Sequence, residues 1–373
     1  MQLTLSETQS MLQDTANRLL RDRHSFEQRK KILAGQSESL WNAFAELGLL
    51  GIEISEDCGG AAGSFADLAV VLEAMGRHLV VEPFLSTVVL GAGLIAESAT
   101  GEARASLQRA IAEGRLKVAL AHGEPRARYV LSQVETRARR ADRGFIIDGA
   151  KSMALGANDA DQLIVSARTS GHRHDRSGVS LFVVDRRAAN LHLQSFKTID
   201  GRRAAEVSLR DVKGQLLGKE GEGVAALEAC RDRAIGALCA EAVGAMGELN
   251  AATLEYSKTR KQFGATIGSF QVLQHRMVDM FIAHQEAFSL MHHLNLSLSA
   301  SEAGVSRLAS GAKSKIGYAG KFVADQAVQL HGGMGMTDEL NVGHYFKRIS
   351  SINIQFGDPA YHVLRYAQLD AAA

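Results

Sequence analysis

Cysteine is scarce: Cys58, Cys230 and Cys239 are odd in number and form no C-x-x-C pair, which argues against a disulfide framework and a thiolate zinc site and fits a reducing compartment. Proline is nearly as rare, with only Pro83, Pro125 and Pro359, so long uninterrupted helices are permitted over most of the length. An excess of one charge is also missing. Lys and Arg number 42 against 41 Asp and Glu, a net charge of +1 that draws the chain neither to nucleic acid nor to an anionic membrane. No apolar run reaches the roughly 20 residues a membrane span needs; the longest, from Leu85 to Ala96, is rich in Gly and Ala. The opening MQLTLSETQS has no basic n-region followed by an apolar h-region. His292 and His293 do not share a helix face, and His172 and His174 lie in a polar turn, so no metal site is expected. The expectation from these absences is a cytoplasmic protein with no membrane and no nucleic-acid partner.

What is present is a chain of 373 residues, 46% hydrophobic, punctuated by 36 glycines, enough for two or three domains. Ser6 with Gln9 makes a capping box, and Met11, Leu12, Ala16, Leu19 and Leu20 follow at helical spacing. Helical spacing continues through Trp41 to Leu50, Phe65 to Leu79 and Pro83 to Ala96, so residues 1–115 read as an N-terminal helical domain. From Lys117 the period changes. Lys117 to Ala121, Tyr129 to Val134, Gly144 to Asp148, Gln162 to Ala167, Val179 to Val184, Leu191 to Phe196 and Ala205 to Leu209 read as seven short strands. Residues 116–215 are therefore expected to form a β-sandwich or barrel, and residues 216–373 a C-terminal helical bundle. The expected fold class is α+β.

Two segments carry more than periodicity. One is Tyr256-Ser-Lys-Thr-Arg260-Lys-Gln-Phe263-Gly264-Ala-Thr-Ile267-Gly-Ser-Phe270-Gln271; the other is Gln329-Leu-His-Gly332-Gly333-Met-Gly335-Met-Thr-Asp-Glu339. An arginine before an aromatic-Gly turn offers a planar fork of donors to a pyrophosphate. Paired glycines after a helix let a backbone approach a nucleotide closely. A plainer reading stands beside this one, with Arg260 paired to a helix carboxylate and Gly332-Gly333 ending a helix as a C-cap. Both segments resemble signatures of the acyl-CoA dehydrogenase family, as does Ala45-Glu-Leu-Gly-Leu-Leu-Gly51 followed by Cys58-Gly-Gly60. The resemblance runs over the whole chain. It implies an FAD cofactor, an acyl-CoA substrate, an electron-transfer flavoprotein as acceptor, and a role in the β-oxidation of fatty acids or sterol side chains. It also implies that Arg260, Phe263, Gln271, Gln329, Gly332 and Gly333 contact the adenine and pyrophosphate end of an FAD held by a neighbouring subunit.

The departures from the family concern the reaction itself. The resemblance implies a glutamate base that takes the α-proton of the thioester while the β-hydride moves to the flavin. At the matching distance after Gln329 stands Phe356, in Gln355-Phe-Gly-Asp358; the position some relatives use instead, on the first C-terminal helix, is Ala234. Where the family has Thr-Glu-Pro and then Gly-Ser-Asp, this chain has Gly123-Glu-Pro-Arg-Ala-Arg128. The family's Trp and Thr beside the flavin ring correspond to Met153 and Leu155 in Gly149-Ala-Lys151-Ser-Met-Ala-Leu155.

The chain thus keeps what serves a neighbour's FAD and alters what serves its own. That pattern resembles the catalytically degraded chain of α2β2 acyl-CoA dehydrogenases, in which unlike chains share one FAD site and act on bulky or dicarboxylic acyl groups. Such a chain carries no catalytic base of its own. An alternative is a homomeric dehydrogenase with a relocated base, Asp358, Asp232 or Glu241. The plain readings of these are a turn-former or N-cap for Asp358, a pair with Arg233 for Asp232, and a helix-surface charge for Glu241. A further alternative, a non-enzymatic DNA-binding relative, rests on Arg126, Arg128, Arg137, Arg139, Arg140 and Arg143, which alternate with acids such as Glu135 and Asp142 in the manner of a solvated face.

Overall fold

A computed structural model describes residues 4–37 and 39–371. The first stretch is helical: α1 (Glu7–Arg23), α2 (Phe26–Leu33), α3 (Trp41–Glu46), α4 (Phe65–Arg77), α5 (Ala92–Ser98) and α6 (Gly101–Ala112), with a π-helical run over Leu85–Gly91 before α5. The capping box is present at α1, where the Gln9 N–H donates to Ser6 Oγ and the Ser6 N–H to Gln9 Oε1. A second box, Ser64 with Asp67, starts α4.

Seven strands follow: β1 (Val118–Ala121), β2 (Arg137–Arg140), β3 (Phe145–Leu155), β4 (Gln162–Arg168), β5 (Val179–Asp185), β6 (Leu191–Lys197) and β7 (Arg203–Leu217). Strand β4 pairs β5, β5 pairs β7, β7 pairs β3, β3 pairs β2, and β2 returns to β4 through Arg137 and Arg168, which closes a barrel. β1 flanks β4 in parallel, and β6 flanks β7. Phe145, Ile147, Leu163, Val165, Phe182, Val184, Val207 and Val212 fill it.

Two strand expectations are corrected. Tyr129 to Val134 is a run of turns: the Ser132 and Val134 carbonyls accept hydrogen bonds from the Arg168 guanidinium instead of a neighbouring strand. The second strand is formed by the basic stretch, where Ala138 is buried and Arg137, Arg139 and Arg140 face outward. Arg139 pairs with Asp211, and Arg140 with Glu220.

The last stretch is helical again: α7 (Gly223–Thr259), a hairpin of β8 (Lys261–Gln262) and β9 (Ala265–Thr266), then α8 (Gln271–Ser299), α9 (Val305–His331), α10 (Asn341–Ile354) and α11 (Pro359–Ala371). By internal contacts the described residues form two compact units, 39–63 with 82–234, and 4–37 with 64–81 and 235–371; the division falls inside α7. Within the second, α4 and α7 cross so closely at Gly76 and Gly244 that a Cβ on either would overlap the carbonyl of Glu241 or Glu73.

Candidate functional site

The first motif segment ends α7 and forms the hairpin. The Arg260 N–H donates to the Tyr256 carbonyl at 2.9 Å, and the Arg260 carbonyl accepts from Ile267 N–H at 2.8 Å, so Arg260 sits at the hairpin's neck. Its side chain is exposed and, among the described residues, has no ion-pair or hydrogen-bond partner. Phe263 and Gly264 are the two-residue turn, with φ of 52° and 79°, the all-positive pattern of a type I′ hairpin. A phenylalanine is strained there, and it holds its ring 96% exposed, edge-on to Phe270 at 6.4 Å. Gln271 opens α8, also exposed. An open groove of about 770 Å³ lies beside the hairpin, lined by Leu254, Ser257, Gly268, Met277, Met280 and Phe281.

The second segment ends α9. Gly332 adopts φ 60° and ψ −143° and donates its N–H to the Gln329 carbonyl, so it does stop the helix, and a 3₁₀ turn spans Gly332–Met336. Gln329, Gly332 and Gly333 are exposed, and a Cβ on either glycine would meet nothing within 4 Å. Gly333 has no left-handed backbone, so nothing in this chain requires a glycine there. The two segments are brought together by a side-chain contact absent from the expected site: the Tyr256 and His331 rings stack with centroids 4.3 Å apart and planes at 25°. His331 Nδ1 bonds the Ala327 carbonyl at 2.8 Å, which fixes the proton on Nδ1, and burial pushes the imidazole pKa below its ordinary value.

Phe356, where the resemblance leads one to expect the base, has φ 57°, and Gly357 has φ 122°. The Phe356 carbonyl accepts from His362 Nε2 at 3.0 Å. Buried Lys313 donates to the carbonyls of Ile352 (2.7 Å) and Asn353 (3.2 Å) at the end of α10, and burial pushes its ammonium down to about 8. Asp358 is the N-cap of α11: its Oδ1 accepts from Tyr361 N–H at 2.8 Å and its carbonyl from His362 N–H at 3.1 Å. Glu241 is not a surface charge. It is buried, and both its oxygens accept from Arg348 Nε (2.7 Å) and NH2 (2.5 Å). Asp232 is buried beside Arg231 Nε at 3.4 Å, and Arg233 pairs with Glu53. Ala234 is fully buried.

In the barrel, the Glu124 and Lys151 side chains of the two elements that the resemblance assigns to the flavin ring meet. Lys151 Nζ donates to Glu124 Oε1 at 2.6 Å, to Ser166 Oγ at 3.0 Å and to the His122 carbonyl at 3.3 Å, all below the surface. The Glu124 carboxylate also accepts the N–H groups of Glu135 and Thr136. Burial drives the lysine down to about 8 against the pull of that carboxylate. Met153 lies at a bulge of β3 with φ 54° and is 46% exposed; Leu155 is half-buried. Among the described residues no group of three or more His, Cys, Asp or Glu could hold a metal ion, and no helix is long and apolar enough to cross a membrane.

Helices, a small closed barrel, then long helices that display an arginine hairpin beside a Gly-Gly turn define a class: the helical-barrel-helical dehydrogenases. The chain belongs to the acyl-CoA dehydrogenase family, matching its N-terminal domain over residues 6–115, its middle domain over 119–212 and its C-terminal domain over 221–368. It is similar to the acyl-CoA dehydrogenase IpdE2 of Mycobacterium tuberculosis (29% identity, 84% of this chain and 81% of that one). IpdE2 of Mycolicibacterium smegmatis is 28% identical over 97% of this chain and 98% of its own. Among solved structures, a variant of the Tcur3481-Tcur3483 steroid ACAD superposes with a TM-score of 0.88 at 28% identity, covering 99% of both chains. Butyryl-CoA dehydrogenase from Megasphaera elsdenii shares the fold, with a TM-score of 0.91 at 22% identity over 99% of both.

Proposed function

We propose that this chain is the partner subunit of an FAD-dependent acyl-CoA dehydrogenase, supplying the adenine and pyrophosphate half of an FAD site to a second, glutamate-bearing chain of the same family. One observation carries the reading: the two dinucleotide-type segments are assembled side by side and open outward. Beside it stands the family resemblance, which puts Phe356 where a glutamate base is expected. The residues suit the group. Arg260 has an uncommitted guanidinium fork for a pyrophosphate. Gly332 and Gly333 leave the space that side chains would fill.

FAD, when bound, accepts the β-hydride of the thioester. This chain's share of the work would be to bind and orient: Arg260 would balance phosphate charge, and Gly332, Gly333, Phe263, Gln271 and Gln329 would hold the adenine and pyrophosphate end. The α-proton goes to the partner's carboxylate, because the substitutes in this chain are engaged elsewhere. Glu241 is held by Arg348, Asp232 adjoins Arg231, and Asp358 caps α11. Likeness to a steroid ACAD supports a bulky acyl-CoA as substrate. An electron-transfer flavoprotein as electron acceptor rests on the family resemblance.

The test is co-expression with a family member that carries the glutamate, followed by native mass spectrometry and flavin quantitation. An α2β2 tetramer with two FAD supports the reading. Four FAD per tetramer, or stoichiometric FAD and robust turnover from this chain alone, contradicts it.

A further inference from the structure

We infer that the Tyr256–His331 stack is a positioning clasp, which sets the Arg260 hairpin and the Gly332-Gly333 turn at the separation needed to hold one dinucleotide between them. The inference rests on the half-site reading above and names residues that reading does not use.

Three observations carry it. Among the described residues, no hydrogen bond or ion pair joins residues 256–271 to residues 329–339, so the ring contact is the specific side-chain link between the segments. His331 is itself fixed: Nδ1 bonds Ala327 of its own helix, and the turn folds back so tightly that a Cβ on Gly335 would lie 3.0 Å from the His331 Cβ. Tyr256 is equally tied to its segment, since its carbonyl accepts the Arg260 N–H one helical turn on. A shift of either ring is therefore passed directly to a cofactor-facing residue, Arg260 on one side and Gly332 on the other. Neither ring touches the nucleotide in this scheme; both act through the residues they hold.

An aromatic pair of this kind contributes enough to change an equilibrium by roughly twofold to tenfold. The experiment measures FAD dissociation by flavin fluorescence, and competition by ADP, which carries the adenine and pyrophosphate without the flavin, on the assembled oligomer. Tyr256→Leu and His331→Leu are each expected to weaken FAD and ADP by about that factor, and the double variant to lose no more than the worse single one. Tyr256→Phe keeps ring on ring and leaves the His331 Nδ1 bond to Ala327 in place, and is expected to hold both ligands as the parent does. Arg260→Ala should cost less in the Tyr256→Leu background than alone. Unchanged FAD and ADP affinity in a folded Tyr256→Leu variant with a lowered melting temperature overturns the clasp and leaves a packing contact. So does loss of FAD in a folded Tyr256→Phe variant. If Arg260→Ala alone also retains FAD, the half-site reading falls, and the clasp with it.

Discussion

Lys151 and Glu124 form an ion pair at 2.6 Å inside the barrel, with the lysine side chain wholly buried. Both stand in elements that the family resemblance assigns to the flavin ring, and the same resemblance puts Met153 and Leu155 at the ring-facing positions. The pair ties the loop after β1 to strand β3. Glu124 further closes that loop on itself through the Glu135 and Thr136 N–H groups.

Breaking this pair is expected to be costly. Lys151→Met leaves a carboxylate below the surface without its counter-charge, a change worth about 3–5 kcal/mol. Urea unfolding of the variant measures it. A loss under about 1 kcal/mol would mean that water reaches Glu124 and that the pair behaves as an exposed one.

The contrast between Glu124 and Glu241 shows how much of the site was legible in the sequence. The order of helices and strands could be read because apolar spacing is a local signal, and the two motif segments could be read because each is contiguous. Glu241 looked like a surface charge because its partner, Arg348, is 107 residues away. The Tyr256–His331 stack and the Lys151–Glu124 pair are likewise contacts between distant positions, to which no spacing rule applies. Tyr129 to Val134 has the aromatic and β-branched composition of a strand, yet Arg168 takes the carbonyls of Ser132 and Val134. The second strand was hidden in its arginines, since a strand with a single buried residue, Ala138, presents almost no apolar pattern.

Arg260→Ala is expected to weaken FAD retention in the assembled complex. A hydrogen bond to a charged group contributes about 1.5–3 kcal/mol, or roughly 10- to 150-fold in affinity. Because the guanidinium has no partner among the described residues, its removal leaves no buried charge behind, and the fold should be preserved. Flavin retained through gel filtration reports the effect. Unchanged retention would remove the main support for the cofactor half-site.

His78, at the C-cap of α4, predicts a specific acid sensitivity. Burial, helped by the nearby charges of Arg77, His24 and Arg21, pushes its imidazole down to about 4 from the ordinary 6.5. Between those values the unfolded chain binds a proton that the folded chain refuses. Stability therefore falls as the pH drops through that window and rises as the pH climbs. His78→Asn should flatten this slope, so that the melting temperature falls less between about pH 7 and about pH 5 than in the parent. Parallel losses in the two proteins would assign the proton uptake to another group.

Asp358→Asn separates the two assignments of the base. As N-cap of α11, Asp358 uses Oδ1 to accept from Tyr361 N–H, and asparagine caps about equally well, so stability should hold. If the partner chain supplies the carboxylate, turnover of the assembled enzyme should stay within a small factor of the parent. If Asp358 abstracts the proton, the variant loses a positioned base, which contributes about 10²- to 10⁴-fold. Geometry favours the first outcome. The backbone on either side of Asp358 is held by His362, through the Phe356 carbonyl at 3.0 Å and the Asp358 carbonyl at 3.1 Å, and the end of α10 is pinned by Lys313. A carboxylate fixed as a cap is poorly placed to advance on a substrate carbon. A drop of more than about 100-fold with the tetramer and its flavin intact would instead identify this chain as the owner of its own base.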